Sequence, residues 1–329
     1  MKALLQKMTK GAILTKEEAK EALIGITEEK YPTAQVTAFL TVYMMRSITA
    51  QELDGFREAL LEKAVKIDLG TVNAVDLCGT GGDGKDTFNI STIASLVVAS
   101  AGYKVIKHGN VGVSSSCGSS DVLSACGYTL TADEAILKTQ LEESNFCYIH
   151  APLFHPSLKT VGPIRKDLGL KTFFNMIGPL VNPVQPKFQL VGTYDMNVAE
   201  LYYPILKEHR DTFTIVHSTD GYDEISLTAD FHAITRHEAE EISPESLGFS
   251  RINPADLTGG NSIDSAKEIF LPVLSGKGTE AQNSAVIMNA ATAINTMEGQ
   301  NDFAGAVEKA KEALLSGKGL EVLNKVIAS

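Results

Sequence analysis

The sequence contains no tryptophan, and aromatic residues make up only 7% of its 329 positions, so its interior must be built from Leu, Ile, Val and Ala in helices and strands. Its four cysteines, Cys78, Cys117, Cys126 and Cys147, form no Cys-x-x-Cys pair and no regular framework. A disulfide scaffold is thereby excluded, and the thiols read as free packing residues in a reducing compartment. No segment approaches the ~18 uninterrupted apolar residues of a membrane span. The first twelve residues hold three lysines and no apolar stretch of the secretory kind, so a cytoplasmic protein is expected. Net positive charge is missing too: the formal charge is −11. Nucleic-acid binding draws most of its affinity from clustered Lys and Arg, so no nucleic-acid partner is expected. Several catalytic signatures are also absent. There is no G-x-S-x-G elbow, no H-E-x-x-H and no His/Cys metal spacing, which removes support for hydrolase and zinc-enzyme readings.

What is present suits two domains, since the chain exceeds a typical single domain and 44% of it is hydrophobic. Residues 1–66 read as three helices with no strand signal. Thr15 with Glu18 and Thr49 with Glu52 each match a capping box, in which hydroxyl and carboxylate satisfy orphan amides at a helix start. Residues 34–45 are apolar on nearly every side, so that helix must be buried against others or against a partner chain.

From residue 72 the pattern changes to alternating strand, turn and helix. Strands are predicted at 72–77, 104–106, 146–149, 189–191 and 212–216, and helices at 92–101 and from 131 onward. Such alternation argues for a mainly parallel sheet with ligands at the strand carboxyl ends. Between Pro156 and Pro186 lie five prolines, which suggests a crossover returning to the helical unit. The domains expected are therefore 1–66 completed by about 156–188, and 72–155 with 189–329. Residues 281–318 are Ala-rich and helical in period, ending at Gly317 and Gly319.

The chemistry concentrates in four places. Cys78-Gly79-Thr80-Gly81-Gly82-Asp83-Gly84 follows a predicted strand and precedes Asn89-Ile90-Ser91-Thr92 at a helix start, with four glycines in six positions. Glycines let backbone approach a bulky anion, and loop and helix-start amides supply donors, so this reads as a phosphate cradle. Its spacing fits neither the dinucleotide nor the nucleoside-triphosphate loop. The second strand leads into Lys107-His108-Gly109-Asn110 and then Ser114-Ser115-Ser116-Cys117-Gly118-Ser119-Ser120, an ammonium and five hydroxyls beside the first loop. Two anion loops on successive strands imply a ligand with two phosphate ends. Asp223 and Glu224, adjacent after another apolar strand, can hold Mg²⁺, which favours few carboxylates, waters and substrate phosphates; a solvated acidic turn has the same composition. Finally, Arg165 offers a guanidinium suited to a carboxylate on a small aromatic substrate, with an ion pair to Asp167 or Glu143 as the competing use.

In this order and spacing, Gly79 to Asp83, Asn89 to Thr92, Lys107 to Asn110, Ser114-Ser115, Gly118-Ser119, Arg165, Asn175 to Pro183 and Asp223-Glu224 resemble the anthranilate phosphoribosyltransferase family over essentially the whole chain. The resemblance implies a small all-helical domain joined to a larger α/β domain of the nucleoside phosphorylase/phosphoribosyltransferase-like kind, class III. A homodimer formed through the helical domain and a place in tryptophan synthesis are implied with it. It implies further that Gly79, Gly82, Asp83, Thr87, Asn89, Ile90, Ser91, Thr92, Lys107, His108, Gly109, Asn110, Ser114, Ser115 and Ser119 hold phosphoribosyl pyrophosphate. Ser91, Asp223 and Glu224 would then hold Mg²⁺, and Gly79, Asn110 and Arg165 would meet anthranilate, with Lys107, Asp223 and Glu224 carrying catalysis. One departure is Val111-Gly112, where many members carry Arg and a small residue. Pyrimidine nucleoside phosphorylases and nucleic-acid-binding relatives share the fold and remain the alternatives.

Overall fold

The structure is a computed structural model and describes residues 1–70, 73–112, 115–299 and 301–329. Its chain begins with helices α1 (Lys2–Met8), α2 (Lys16–Thr27), α3 (Thr33–Met45) and α4 (Ala50–Lys63). Next come β1 (Val75–Gly79), α5 (Ile90–Ser100), β2 (Val105–Gly109), α6 (Ser119–Ala125), α7 (Glu134–Ser144) and β3 (Phe146–His150). Three short helices follow: α8 (Ala151–Phe154), α9 (Gly162–Leu168) and α10 (Phe174–Ile177). Strand β4 (Phe188–Gly192), α11 (Met196–His209) and β5 (Thr212–Ser218) lead to a hairpin, β6 (Phe231–Ile234) and β7 (Ala239–Ile242). The chain closes with α12 (Ile263–Leu274), α13 (Glu280–Met297), α14 (Phe303–Leu315) and α15 (Lys318–Ala328).

Two compact units result: residues 1–66 with 151–183, and residues 67–150 with 184–329. In the helical unit both capping boxes form, at Thr15/Glu18 and Thr49/Glu52. The later segment is bound to the first helices by aromatic packing, since Phe173 stacks on Phe56 at 4.3 Å and meets Tyr43 edge-on at 5.5 Å. Glu52, fully buried, accepts from Leu14 N and Thr49 N at 3.0 Å each and from Tyr43 Oη at 3.1 Å, and pairs with Arg46. The unit has four leading helices where the sequence reading gave three, because α1 is only seven residues long and carries too little periodicity to register.

The second unit holds a seven-stranded sheet in the order β3-β2-β1-β4-β5-β6-β7. The first five strands are parallel, and β6 and β7 are antiparallel. Helix α5 is apolar all round and buried at nine positions, as a helix trapped between sheet and outer helices must be. Some boundaries differ from the sequence reading. Strand β1 lies at 75–79 rather than 72–77; Val72 is outside the described residues. Strand β2 runs on to Gly109 because it pairs along its length with β3, so Lys107 and His108 belong to the sheet and not to a loop. Strands β6 and β7, at four residues each, are too short to register as apolar runs. The C-terminal helical stretch is broken after Met297, and Gly317, at φ +72°, introduces α15 rather than ending the structure.

Candidate active site

The strand order reverses direction between β1 and β4, with successive crossovers leading away on either side. In parallel sheets such a switch opens a crevice at the strand carboxyl ends. Gly79 and Gly192 end β1 and β4 and are register partners. A Cβ on either would collide with Asp223: with its carboxylate from Gly79, with its backbone from Gly192. The two glycines therefore seat Asp223 directly over the switch. Beyond Gly79 the loop turns on left-handed backbone at Gly81, Gly82 and Gly84 (φ +69°, +77° and +72°), a region glycine enters without steric cost.

Asp223 Oδ2 accepts from Gly81 N at 2.5 Å, and Glu224 Oε1 accepts from Ser91 N at 2.9 Å. Thr87 Oγ1 lies 3.5 Å from Glu224 Oε2. The acidic loop is held from behind by Ser218 Oγ, which donates to Glu224 O at 2.7 Å. It is held from in front by Lys85, whose ammonium sits 4.6 Å from the Tyr222 ring centroid and ties the glycine loop to it. Burial and the nearby charge of Asp83 push the Asp223 carboxyl up to about 7; burial and Asp223 push Glu224 up to about 8. Such a crowd of acids with only oxygen donors, Ser91 included, fits a hard divalent cation, which would relieve the repulsion.

Lys107 differs from expectation. It is fully buried, its ammonium donating to Leu77 O at 2.5 Å and lying 3.4 Å from Ser91 Oγ. Burial lowers its pKa, while the surrounding Cys78, Asp76, Glu224 and Asp223 oppose that shift. Its charge thus acts from beneath Ser91 rather than from an exposed loop. The helix-start amides differ as well: Ser91 N serves Glu224, Ile90 N donates to Phe88 O and Thr92 N to Asn89 O. They are engaged within the protein. Asn89 Nδ2 donates to Cys117 O at 3.1 Å, tying the first loop to the second.

At the end of β2, His108 is buried and its backbone N–H donates to Asp76 Oδ1 at 3.1 Å. Asp76 escaped the sequence reading, although an acid inside an apolar strand was a usable signal. Gly109, exposed Asn110, exposed Ser115 and Ser119 line the second loop; Ser114 lies outside the described residues. Asp121 shapes that loop by accepting from Gly112 N and Gly118 N at 2.8 and 2.9 Å. Gly79, Gly82, Asp83, Thr87, Asn89, Ser91, Lys107, Asp223 and Glu224 are thus gathered around the ends of β1, β2 and β5. Arg165 belongs to the helical unit, where its guanidinium lies 5.2 Å from the Phe174 ring centroid and burial lowers its pKa. Among the described residues it makes no ion pair with Asp167.

A helical bundle joined to an α/β unit, with a glycine loop and an acidic pair at the sheet's switch point, is the architecture of the glycosyl transferase family. Residues 2–64 match the helical bundle domain of that family and residues 71–320 its a/b domain. Anthranilate phosphoribosyltransferases of Flavobacterium johnsoniae and Cytophaga hutchinsonii are 52% and 50% identical, each over 99% of this chain and 98% and 100% of their own. The anthranilate phosphoribosyltransferase of Thermus thermophilus superposes with a TM-score of 0.92 at 29% identity, covering 98% of both chains. That of Saccharomyces cerevisiae, solved in complex with PRPP and Mg, gives 0.90 at 26% identity over 98% of this chain and 96% of its own. The chain belongs to the anthranilate phosphoribosyltransferase family.

Proposed function

We propose that this protein transfers the phosphoribosyl group of phosphoribosyl pyrophosphate to the amine of anthranilate, giving N-(5-phosphoribosyl)anthranilate and pyrophosphate in tryptophan biosynthesis. The observation that carries the reading is the Asp223/Glu224 pair seated over Gly79 and Gly192, in a chain half identical to enzymes of that name. Ser91, Asp223 and Glu224 would hold Mg²⁺, which would supply charge neutralisation for the diphosphate. Gly79, Gly82, Asp83, Thr87, residues 89–92 and 107–110, Ser114, Ser115 and Ser119 are assigned to the donor. Ile90 and Thr92 have buried side chains and act as backbone that fixes Ser91.

As the C1–oxygen bond breaks, its electron pair leaves with pyrophosphate and positive charge grows on the ribose. The amine lone pair forms the new C1–N bond, and the proton it then sheds passes to water or pyrophosphate, so no general base is needed. Lys107 opposes the negative charge that gathers on the leaving group and on the acid pair. Arg165 is assigned to the acceptor's carboxylate, a charge partner it does not find in its own unit, and Asn110 and Gly79 to the acceptor's edge. We assign the protein to the cytoplasm as a homodimer formed through the helical unit.

Purified protein with phosphoribosyl pyrophosphate, Mg²⁺ and anthranilate should extinguish anthranilate fluorescence. Phosphorolysis of thymidine or uridine, with anthranilate untouched, would assign the chain to the phosphorylase alternative instead.

A further inference from the structure

Behind the second loop a chain of polar groups runs from the site into the protein. Ser119 Oγ lies 2.7 Å from Tyr148 Oη, Tyr148 Oη lies 2.7 Å from Ser120 Oγ, and Ser120 Oγ lies 2.8 Å from His150 Nδ1. Tyr148 and Ser120 are buried, so no bulk water substitutes for these links. Gly109 makes room for the chain, because a Cβ there would collide with both the Tyr148 hydroxyl and Ser119 Oγ.

Counting protons restricts what this chain can do. Each hydroxyl carries one proton, and a neutral imidazole carries one on either nitrogen. Tyr148 stands between two serine hydroxyls, so it donates to one and accepts from the other. Two directions satisfy every link and leave no hydroxyl proton of the buried Tyr148 or Ser120 without an acceptor. Pointing inward, Ser119 donates to Tyr148, Tyr148 to Ser120 and Ser120 to an unprotonated Nδ1. Pointing outward, His150 Nδ1–H donates to Ser120, Ser120 to Tyr148 and Tyr148 to Ser119. Only then is the Ser119 proton available outside the chain, where Asn110 O lies 3.3 Å away as an acceptor. An ionised phosphate oxygen can only accept, so it demands the outward direction.

We propose that His150 is a positioning residue for the donor substrate: holding its proton on Nδ1, it turns the Tyr148–Ser120 chain outward so that Ser119 donates to a phosphate oxygen. This rests on the assignment of Ser119 to the donor site. It adds a residue that lies in none of the loops that read as phosphate-binding.

The test combines a spectrum with two variants of the full-length protein. Nitrogen-15 histidine spectra with phosphoribosyl pyrophosphate and Mg²⁺ should show His150 Nδ1 protonated in the complex. His150→Asn can present an N–H near the Nδ1 position, whereas His150→Asp presents only acceptors there. The Asp variant should raise the KM for phosphoribosyl pyrophosphate by about tenfold or more, the cost of losing one charge-assisted donor. The KM for anthranilate should stay put, and the Asn variant should keep most of the wild-type value. Equal behaviour of the two variants, or an unprotonated Nδ1 in the complex, would overturn the proposal. The wild-type spectrum decides it even where the Asp variant folds poorly. Turnover of anthranilate by the wild type reports the parent reading separately: a protein that binds the donor with Nδ1 protonated yet leaves anthranilate untouched sustains the role of His150 and loses the proposed reaction.

Discussion

Each unit of the molecule sets a glutamate against a helix start, and the two are treated in opposite ways. Glu52, in the helical unit, is surrounded by donors: Arg46, Tyr43 Oη and the amides of Leu14 and Thr49. Burial pushes its pKa up, but the Arg46 hydrogen bond and the backbone donors outweigh that and hold it below the ordinary glutamate range. Glu224, in the α/β unit, accepts one amide from α5 and a long contact from Thr87 Oγ1, and burial together with the charges of Asp223 and Asp83 outweighs these and Lys107, so its pKa rises to about 8. A satisfied buried charge specifies structure, and a crowded one stores a demand for something not yet bound. The same residue type beside a helix start is structural in one unit and, in the function proposed above, a cation ligand in the other.

Substitutions can break this contrast. The largest effect should come from Asp223→Asn with Glu224→Gln, which removes the crowded charge without changing volume. Transfer should be nearly abolished at saturating Mg²⁺, while thermal unfolding in metal-free buffer should occur no lower than in the wild type. Undiminished turnover would remove the metal assignment. Glu52→Ala should behave in the reverse manner, costing about 1–3 kcal/mol of stability for each buried donor it strands, the Leu14 amide and the Tyr43 hydroxyl. Denaturant titration checks the loss, and the KM values of the folded fraction should not move. The sign of its pH dependence follows from the lowered pKa: the stabilisation is present above the ordinary glutamate range and is lost as pH falls through the depressed folded value. Glu52→Gln should therefore lose part of the wild type's sensitivity to acid.

Two smaller effects sharpen the picture at the site. Lys107→Met keeps most of the buried volume but removes the positive charge under Ser91, and should lower kcat roughly 10²-fold, the scale for one lost charge-stabilising donor. Normal kcat and normal donor affinity would make Lys107 a packing residue only. Arg165→Ala should raise the KM for anthranilate by about 10- to 150-fold, corresponding to ~1.5–3 kcal/mol for a lost charge-assisted hydrogen bond. An effect confined to phosphoribosyl pyrophosphate, with each substrate varied in turn, would overturn that placement.

The helical unit's capping boxes and the five parallel strands β1 to β5 were legible because hydroxyl-to-carboxylate spacing and apolar strand runs are local signals, whereas the order of those strands in the sheet was not. The glycine loop and the Asp223-Glu224 pair were legible for the same reason. Gly192 was not, since a single glycine at a strand end carries no motif, and its role appears only when β4 lies beside β1 with Asp223 above both. The depth of Lys107 was also hidden: one more strand pairing, Lys107 with Tyr148, turns a loop lysine into a buried one. Tyr148 and His150 sat inside an ordinary apolar strand pattern, and only the distances to Ser119 and Ser120 separate them from core residues. What escapes the sequence is contact between residues far apart in it.

The most direct test of the crowded pair is the binding of phosphoribosyl pyrophosphate with and without Mg²⁺, measured calorimetrically on the wild type and on the Asp223→Asn, Glu224→Gln double variant. If the pair is a cation site, wild-type affinity should rise steeply with Mg²⁺ and the variant's should respond far less. Equal Mg²⁺ dependence in the two proteins would contradict the assignment of a cation to Asp223 and Glu224.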